Sequence, residues 1–224
     1  MAPRSYGQYC GITTAVELVT ERWALLIIRD LLVGPRRYTD LKQGLPKIPT
    51  NILSARLKEL QEARVIGRVP MKSCGLVYEL TDYGRELEPI VLALGRWGFQ
   101  SMGDPGDDDV ITADSLTMAL RTAFRPEAPG SLDFQIQMDP VELRGQVKAG
   151  ELKVAQIAPP MPPIGGSLPG GEPDLRFATG PDIRRLISGE LAPADAVDQG
   201  VVKIDRGDVK LLGKFAKHFR IEAA

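Results

Sequence analysis

Apolar positions set the first elements. Val16, Val19, Trp23, Leu26, Ile27 and Leu31 recur at helical spacing and predict one helix from 11 to 32, ended by Gly34-Pro35. Thr39 is placed to cap a short second helix over 40–44. Pro46 and Pro49 stiffen the turn that follows, and a third helix is expected to start at Thr50. At 100° per residue, Leu53, Leu57, Leu60 and Arg64 share one side of that helix, with Asn51, Ser54, Ala55 and Lys58 roughly opposite. Two β-type runs, 65–69 and 76–80, flank Pro70-Met71-Lys72-Ser73-Cys74-Gly75 and read as a hairpin. Thr81 opens a further helix to about Met102, with Leu87, Ile90, Val91, Leu94 and Trp97 on one stripe. Such a stripe suits a dimer contact or packing on a neighbouring domain.

The pattern then changes. Gly103-Asp104-Pro105-Gly106 and Asp107-Asp108-Asp109 cannot join a core and read as a linker, so the chain divides into 1–103, a linker over 104–112, and 113–224. A helix is expected over 113–125. Leu132, Phe134, Ile136 and Met138 then alternate along a strand, followed by Val141, Leu143 and Val147 in a second and Leu152 and Val154 in a third, an antiparallel meander. The Pro/Gly-rich run from Pro159 to Gly171 reads as a surface loop, with a flap over a pocket as the alternative. A strand at 175–178, helices at 181–188 and 193–198, a strand at 201–204 and a terminal helix at 208–219 complete the chain.

A short helix, a proline-bracketed turn, an amphipathic helix with a small polar face and a basic hairpin form a helix-turn-helix with a wing, an arrangement suited to the DNA major groove. Asn51, Ser54 and Lys58 are the expected groove residues, with Thr50, Arg37, Arg56, Arg68 and Lys72 on the phosphate backbone. Arg56 has a second reading, since its place near the core edge also suits pairing with a carboxylate. Charge agrees with the division. Residues 1–103 hold 14 Lys+Arg against 10 Asp+Glu, and 104–224 hold 14 against 19. A basic module joined to an acidic one suggests DNA on one side and another task on the other.

Other chemistry finds little support. Two cysteines, Cys10 and Cys74, cannot form a secreted-type disulfide framework. Cys10, ahead of the first helix, is a redox candidate through a lowered thiol pKa, although a lone cysteine more often reads as a small buried hydrophobe, the reading favoured here. His218 is the single histidine, no Cys/His spacing suits a metal, and no glycine motif cradles phosphate, so neither enzyme, metal nor cofactor is expected. The N-terminus lacks a signal-peptide core, and no apolar run reaches the ~18–20 residues of a membrane span, so a cytoplasmic protein without membrane contact is expected.

Residues 8–100 resemble the HxlR family of winged-helix bacterial regulators, relatives of the MarR group. The likeness rests on Cys10, Arg22-Trp23, Gly34-Pro35-Arg36-Arg37-Tyr38 and Leu53-Ser54-x-Arg56-Leu57-Lys58-x-Leu60. It continues through Tyr78-Glu79-Leu80-Thr81-x-x-Gly84-Arg85-Glu86-Leu87 and Trp97-Gly98. Glu21-Arg22 stands where the family usually has Gly-Lys, and Ala63-Arg64-Val65 where Ala-Gly-Leu is common. The resemblance implies a homodimer on an inverted repeat of double-stranded DNA, and a sensing role for Cys10 as in some relatives. Residues 113–221 more loosely resemble a sterol-carrier-type domain through Pro173-Asp174, Ile183-x-x-Leu186-Ile187-x-Gly189-Glu190-Leu191 and Gly200-x-Val202-Lys203-Ile204. That likeness implies an α+β chain whose second half packs helices on a mostly antiparallel five-stranded sheet. It also implies an apolar cavity, or a filled core that serves only dimerisation.

The expected function is therefore a dimeric transcriptional regulator, by default a repressor, modulated by an apolar small molecule in the C-terminal domain. The rivals are a thiol-switched regulator acting through Cys10, and a lipid-carrier module whose winged helix binds no DNA.

Overall fold

The computed structural model describes residues 5–71, 75–106, 108–157 and 171–222. The wing residues Lys72 and Cys74, Asp107 of the linker and most of the Pro/Gly-rich run lie outside them. Two units emerge, 1–91 and 92–224. The division falls inside a helix, ahead of the acidic Gly/Pro segment.

In the first unit the elements are α1 (Gly11–Val19), α2 (Ala24–Val33), α3 (Tyr38–Gly44), α4 (Thr50–Glu62), β1 (Ile66–Met71), β2 (Gly75–Leu80) and α5 (Asp82–Arg85). The single helix expected over 11–32 is two. Trp23 adopts a left-handed conformation (φ 84°), which no helix interior tolerates, and it starts α2. The Arg22 guanidinium lies 5.1 Å from the Trp23 ring centroid. Leu53, Leu57 and Leu60 of α4 are buried as the wheel requires, and so are Ile27, Ile28, Leu31, Leu41 and Ile48. Arg64, placed on the same stripe, instead lies past the helix end with φ 59°.

β1 and β2 pair antiparallel from Ile66↔Leu80 to Met71↔Gly75, and Arg36 adds an isolated bridge to Tyr78. The helix expected over 81–102 is also divided, into α5 and α6 (Glu88–Phe99). The Thr81 side chain accepts from the Gly84 N–H (3.0 Å) and its hydroxyl donates to the Arg64 carbonyl (2.6 Å). This anchors α5 against the end of α4. α6 buries none of its residues, and Ile90, Leu94 and Trp97 are exposed, Trp97 to 71%.

The second unit adds α7 (Ala113–Ala123), β3 (Leu132–Met138), β4 (Val141–Lys148), β5 (Glu151–Gln156), β6 (Leu175–Thr179), α8 (Ile183–Ser188), α9 (Pro193–Asp198), β7 (Val202–Arg206) and α10 (Val209–His218). Its sheet runs β5-β4-β3-β6-β7. Every pair is antiparallel except β3 with β6. Period-two alternation sends Leu132, Phe134, Ile136, Leu143, Val147, Leu175 and Phe177 to one face, where they join Leu212 and Phe215 of α10 and Phe219 just after it. Phe215 sits among the rings of Phe134 (5.1 Å between centroids), Phe177 (5.1 Å) and Phe219 (4.5 Å). Gly145 leaves room for this cluster, because a Cβ there would lie 2.1 Å from the Phe134 ring.

His218 is buried at the end of α10, and neither ring nitrogen has a partner among the described residues. Burial, reinforced by the Lys214 charge, holds its imidazole below the usual 6.5. An unfolded chain then binds a proton that the folded one refuses. The stability from this group is complete above pH 6.5 and is lost as pH falls through that value towards the depressed folded pKa. The unfolding temperature of the protein is expected to drop between pH 8 and pH 5, and His218→Leu to flatten that drop. An unchanged pH profile in the variant would count against it.

Candidate nucleic-acid interface

The turn between α3 and α4 is built from local bonds. The Arg37 N–H donates to the Asp40 carboxylate (2.8 Å), which fixes the start of α3 two residues earlier than the sequence suggested. Lys42 Nζ donates to the carbonyls of Ile48 (2.7 Å) and Pro46 (3.3 Å), tying α3 to the proline turn. The Tyr38 hydroxyl donates to the Thr50 carbonyl (2.9 Å). Ser54 Oγ stands 3.0 Å from that carbonyl and 3.3 Å from the Tyr38 oxygen. Tyr38, Asp40 and Lys42 thus orient α4, and sequence reasoning missed all three. Asp40 alone left a readable sign, an acid at the third position of its helix.

The sequence-expected residues differ in placement. Thr50, Asn51, Ser54 and Lys58 are exposed together along α4, opposite its buried leucines. Lys58 stands 3.7 Å from Glu62, a solvent-exposed pair of little energetic weight. Arg37, at the start of α3, is half-buried and its Nε has no partner among the described residues. Arg68 on β1 is exposed, with its guanidinium 5.8 Å from the Tyr78 ring centroid. Arg56 follows its second reading: its side chain is 16% exposed and pairs with Glu59 and with Glu21 (3.6 Å), so it braces α4 rather than reaching outward. Lys72 lies outside the described residues.

Cys10 corrects an expectation. The favoured reading was a small buried hydrophobe, yet the residue is exposed at the N-cap of α1. The backbone N–H groups of Thr13 and Ile12 at the start of α1 hold its thiol pKa below the usual value. Among the described residues no group of three or more His, Cys, Asp or Glu could hold a metal ion, and no helix is long and apolar enough to cross a membrane.

A capped short helix, a braced turn, a helix with its polar face outward and a two-stranded hairpin define a winged helix-turn-helix unit. Residues 18–105 match the model of the HxlR-like helix-turn-helix family. The chain is 36% identical over 85 residues to the HTH-type transcriptional regulator YvaP of Bacillus subtilis, a match covering 37% of this chain and 79% of that protein. It is 34% identical over 94 residues to the regulator sll1512 of Synechocystis, covering 41% and 70%. Among solved structures, the reduced form of the transcriptional regulator YodB from B. subtilis is 30% identical, with 45% of this chain and all of that one covered at a TM-score of 0.38. The chain belongs to the HxlR-like helix-turn-helix family. That membership puts it among DNA-binding transcriptional regulators of the helix-turn-helix type.

Proposed function

We propose that the protein is a homodimer that recognises an inverted-repeat operator and represses transcription from it. The observation that carries this reading is the exposed polar face of α4, held outward by Tyr38 and Lys42. Asn51, Ser54 and Lys58 enter the major groove, while Thr50, Arg37 and Arg68 meet phosphates, with Lys72 of the wing assigned by sequence alone. Exposed apolar residues along α6 (Ile90, Leu94, Trp97) support the dimer, since an exposed apolar stripe marks a partner. An apolar effector in the second unit rests on the sterol-carrier resemblance. The aromatic cluster over the sheet already occupies the middle of that face, so a ligand there has to displace protein rings.

A second reading is favoured by one observation, the exposure of Cys10 with its lowered pKa. In it the thiol is the sensor and the second unit is structural.

One assay tests both. Fluorescence anisotropy with DNA from upstream of the protein's own gene, beside a scrambled duplex, is expected to show a gap of about 10³-fold or more. Arg37→Ala and Arg68→Ala should each shallow the log–log salt dependence by about one unit. Equal, weak binding to both duplexes would sink the operator reading for this DNA. If oxidant releases DNA from wild type and equally from Cys10→Ser, the thiol reading is finished.

A further inference from the structure

The second unit's sheet has an outer face as well as an aromatic inner one, and its middle is built from long polar side chains. Gln135 on β3 is in register with Arg144 on β4 and with Arg176 on β6. Adjacent strands lie about 4.8 Å apart, so the two arginines are rooted roughly 10 Å from each other with the glutamine between them. All three stand opposite in parity to the buried Phe134, Ile136, Leu143 and Phe177, and hence on the outer side.

The charges of this row are unevenly answered. Arg144 donates to Asp133 (2.6 Å) and to the Gly171 carbonyl (3.1 Å). The Gln135 amide donates to Glu142. Arg206, opposite Arg176 on β7, pairs with Glu172. The Arg176 side chain has no hydrogen bond or ion pair among the described residues, and its Nε is buried. The segment 158–170, outside the described residues, contains no Asp or Glu. Of the three arginines in the sheet, Arg176 alone therefore lacks an acidic partner among the described residues.

A buried N–H left unbonded is unfavourable, and a guanidinium offers a planar fork that matches two oxygens of one anion. We propose that this row is a binding site for a small oxyanion, the carboxylate or phosphate group of a small molecule. Arg176 is its principal ligand, and the remaining donors of Arg144 close it from the other side of Gln135. Asp133 and Glu142 on the same face are already bonded to Arg144 and Gln135, and their charge works against loose, non-directional attraction of anions. Binding then depends on the fork of Arg176 rather than on a general positive field. The site is separate from the apolar interior and from the DNA face, so its failure would leave the operator reading untouched.

The test follows arginine Nε–Hε signals by NMR in the full-length protein. Potassium phosphate and potassium acetate are titrated separately, with ionic strength held by potassium chloride. The Arg176 signal, assigned by its loss in Arg176→Gln, is expected to move saturably while that of Arg125, already paired with Glu127 and Glu222, stays still. Saturation by phosphate alone identifies a phosphate group as the ligand, and saturation by acetate alone a carboxylate. Arg176→Lys keeps the charge but loses the fork, and should weaken the phosphate- or acetate-induced rise in unfolding temperature to that of about tenfold poorer binding. This arm remains readable if Arg176→Gln does not fold. An Arg176 signal that drifts without saturating, moves no more than Arg125, or is matched by an unaltered response in Arg176→Lys would overturn the proposal.

Discussion

Replacing Gly84 with alanine is expected to destabilise the N-terminal unit strongly. A Cβ at that position would sit 2.0 Å from the Val65 carbonyl oxygen and 3.1 Å from a methyl of Leu80. The first of these is a backbone atom fixed from both sides. The Val65 carbonyl accepts from the Thr81 N–H (3.1 Å), and the Val65 N–H donates to the Leu60 carbonyl at the end of α4. Neither chain can retreat without opening the junction of α4, the hairpin and α5. Overpacked sites commonly cost about 1–3 kcal/mol, and an overlap with immobile backbone belongs at or above the upper end. Urea unfolding followed by circular dichroism should show a transition moved to lower denaturant, with operator DNA no longer bound. A midpoint equal to that of wild type would mean that the close approach is not as the structure has it.

Phe215→Ala should have a comparable effect in the other unit. Its ring is fully buried among three others, and removing it deletes both apolar contact and edge-to-face interactions. Truncations of this kind typically cost about 3–5 kcal/mol. Hydrogen exchange separates the two units, which a single melting curve would not. Amides of β3 and β4 are expected to exchange at least about a hundredfold faster, the equivalent of roughly 3 kcal/mol. Phe215→Leu, retaining most of the volume, should lose much less. Acceleration below tenfold in the alanine variant would show that the cluster relaxes into the space, and that the interior is softer than its packing implies.

What could be read from sequence depended on how local the determining forces are. α4 was legible because three leucines at helical spacing must be buried together, and β3 to β5 because alternation admits one inward face. The break at Trp23 was not, since the apolar run continues across it and nothing in Arg22-Trp23 announces a left-handed residue. The division of α5 from α6 was hidden for a similar reason: it depends on Gly84 approaching Val65 across 19 residues of chain. Arg64 shows the opposite case. Its departure from the glycine common in relatives marks the left-handed position after α4, where a Cβ is unfavourable, and the sign was visible before its meaning was. The polar residues of the candidate interface were found by position on the helix. Which of them are free to reach outward was not, because the pairing of Arg56 with Glu21 is non-local.

The small bonds behind α4 reach further than the protein. The Ser54 hydroxyl carries one proton, and both oxygens within reach, the Thr50 carbonyl and the Tyr38 hydroxyl, lie inside the molecule. Tyr38 uses its own proton on Thr50, so it can only accept from Ser54. Towards DNA, Ser54 is thereby left with lone pairs alone. Such a group complements the exocyclic amino groups of adenine and cytosine, and offers nothing to the N7 and O6 of guanine or the O4 of thymine. On the proposed DNA face, Ser54 held in this arrangement therefore favours an amino-bearing base beneath it, a piece of the operator's spelling set by bonds within the protein.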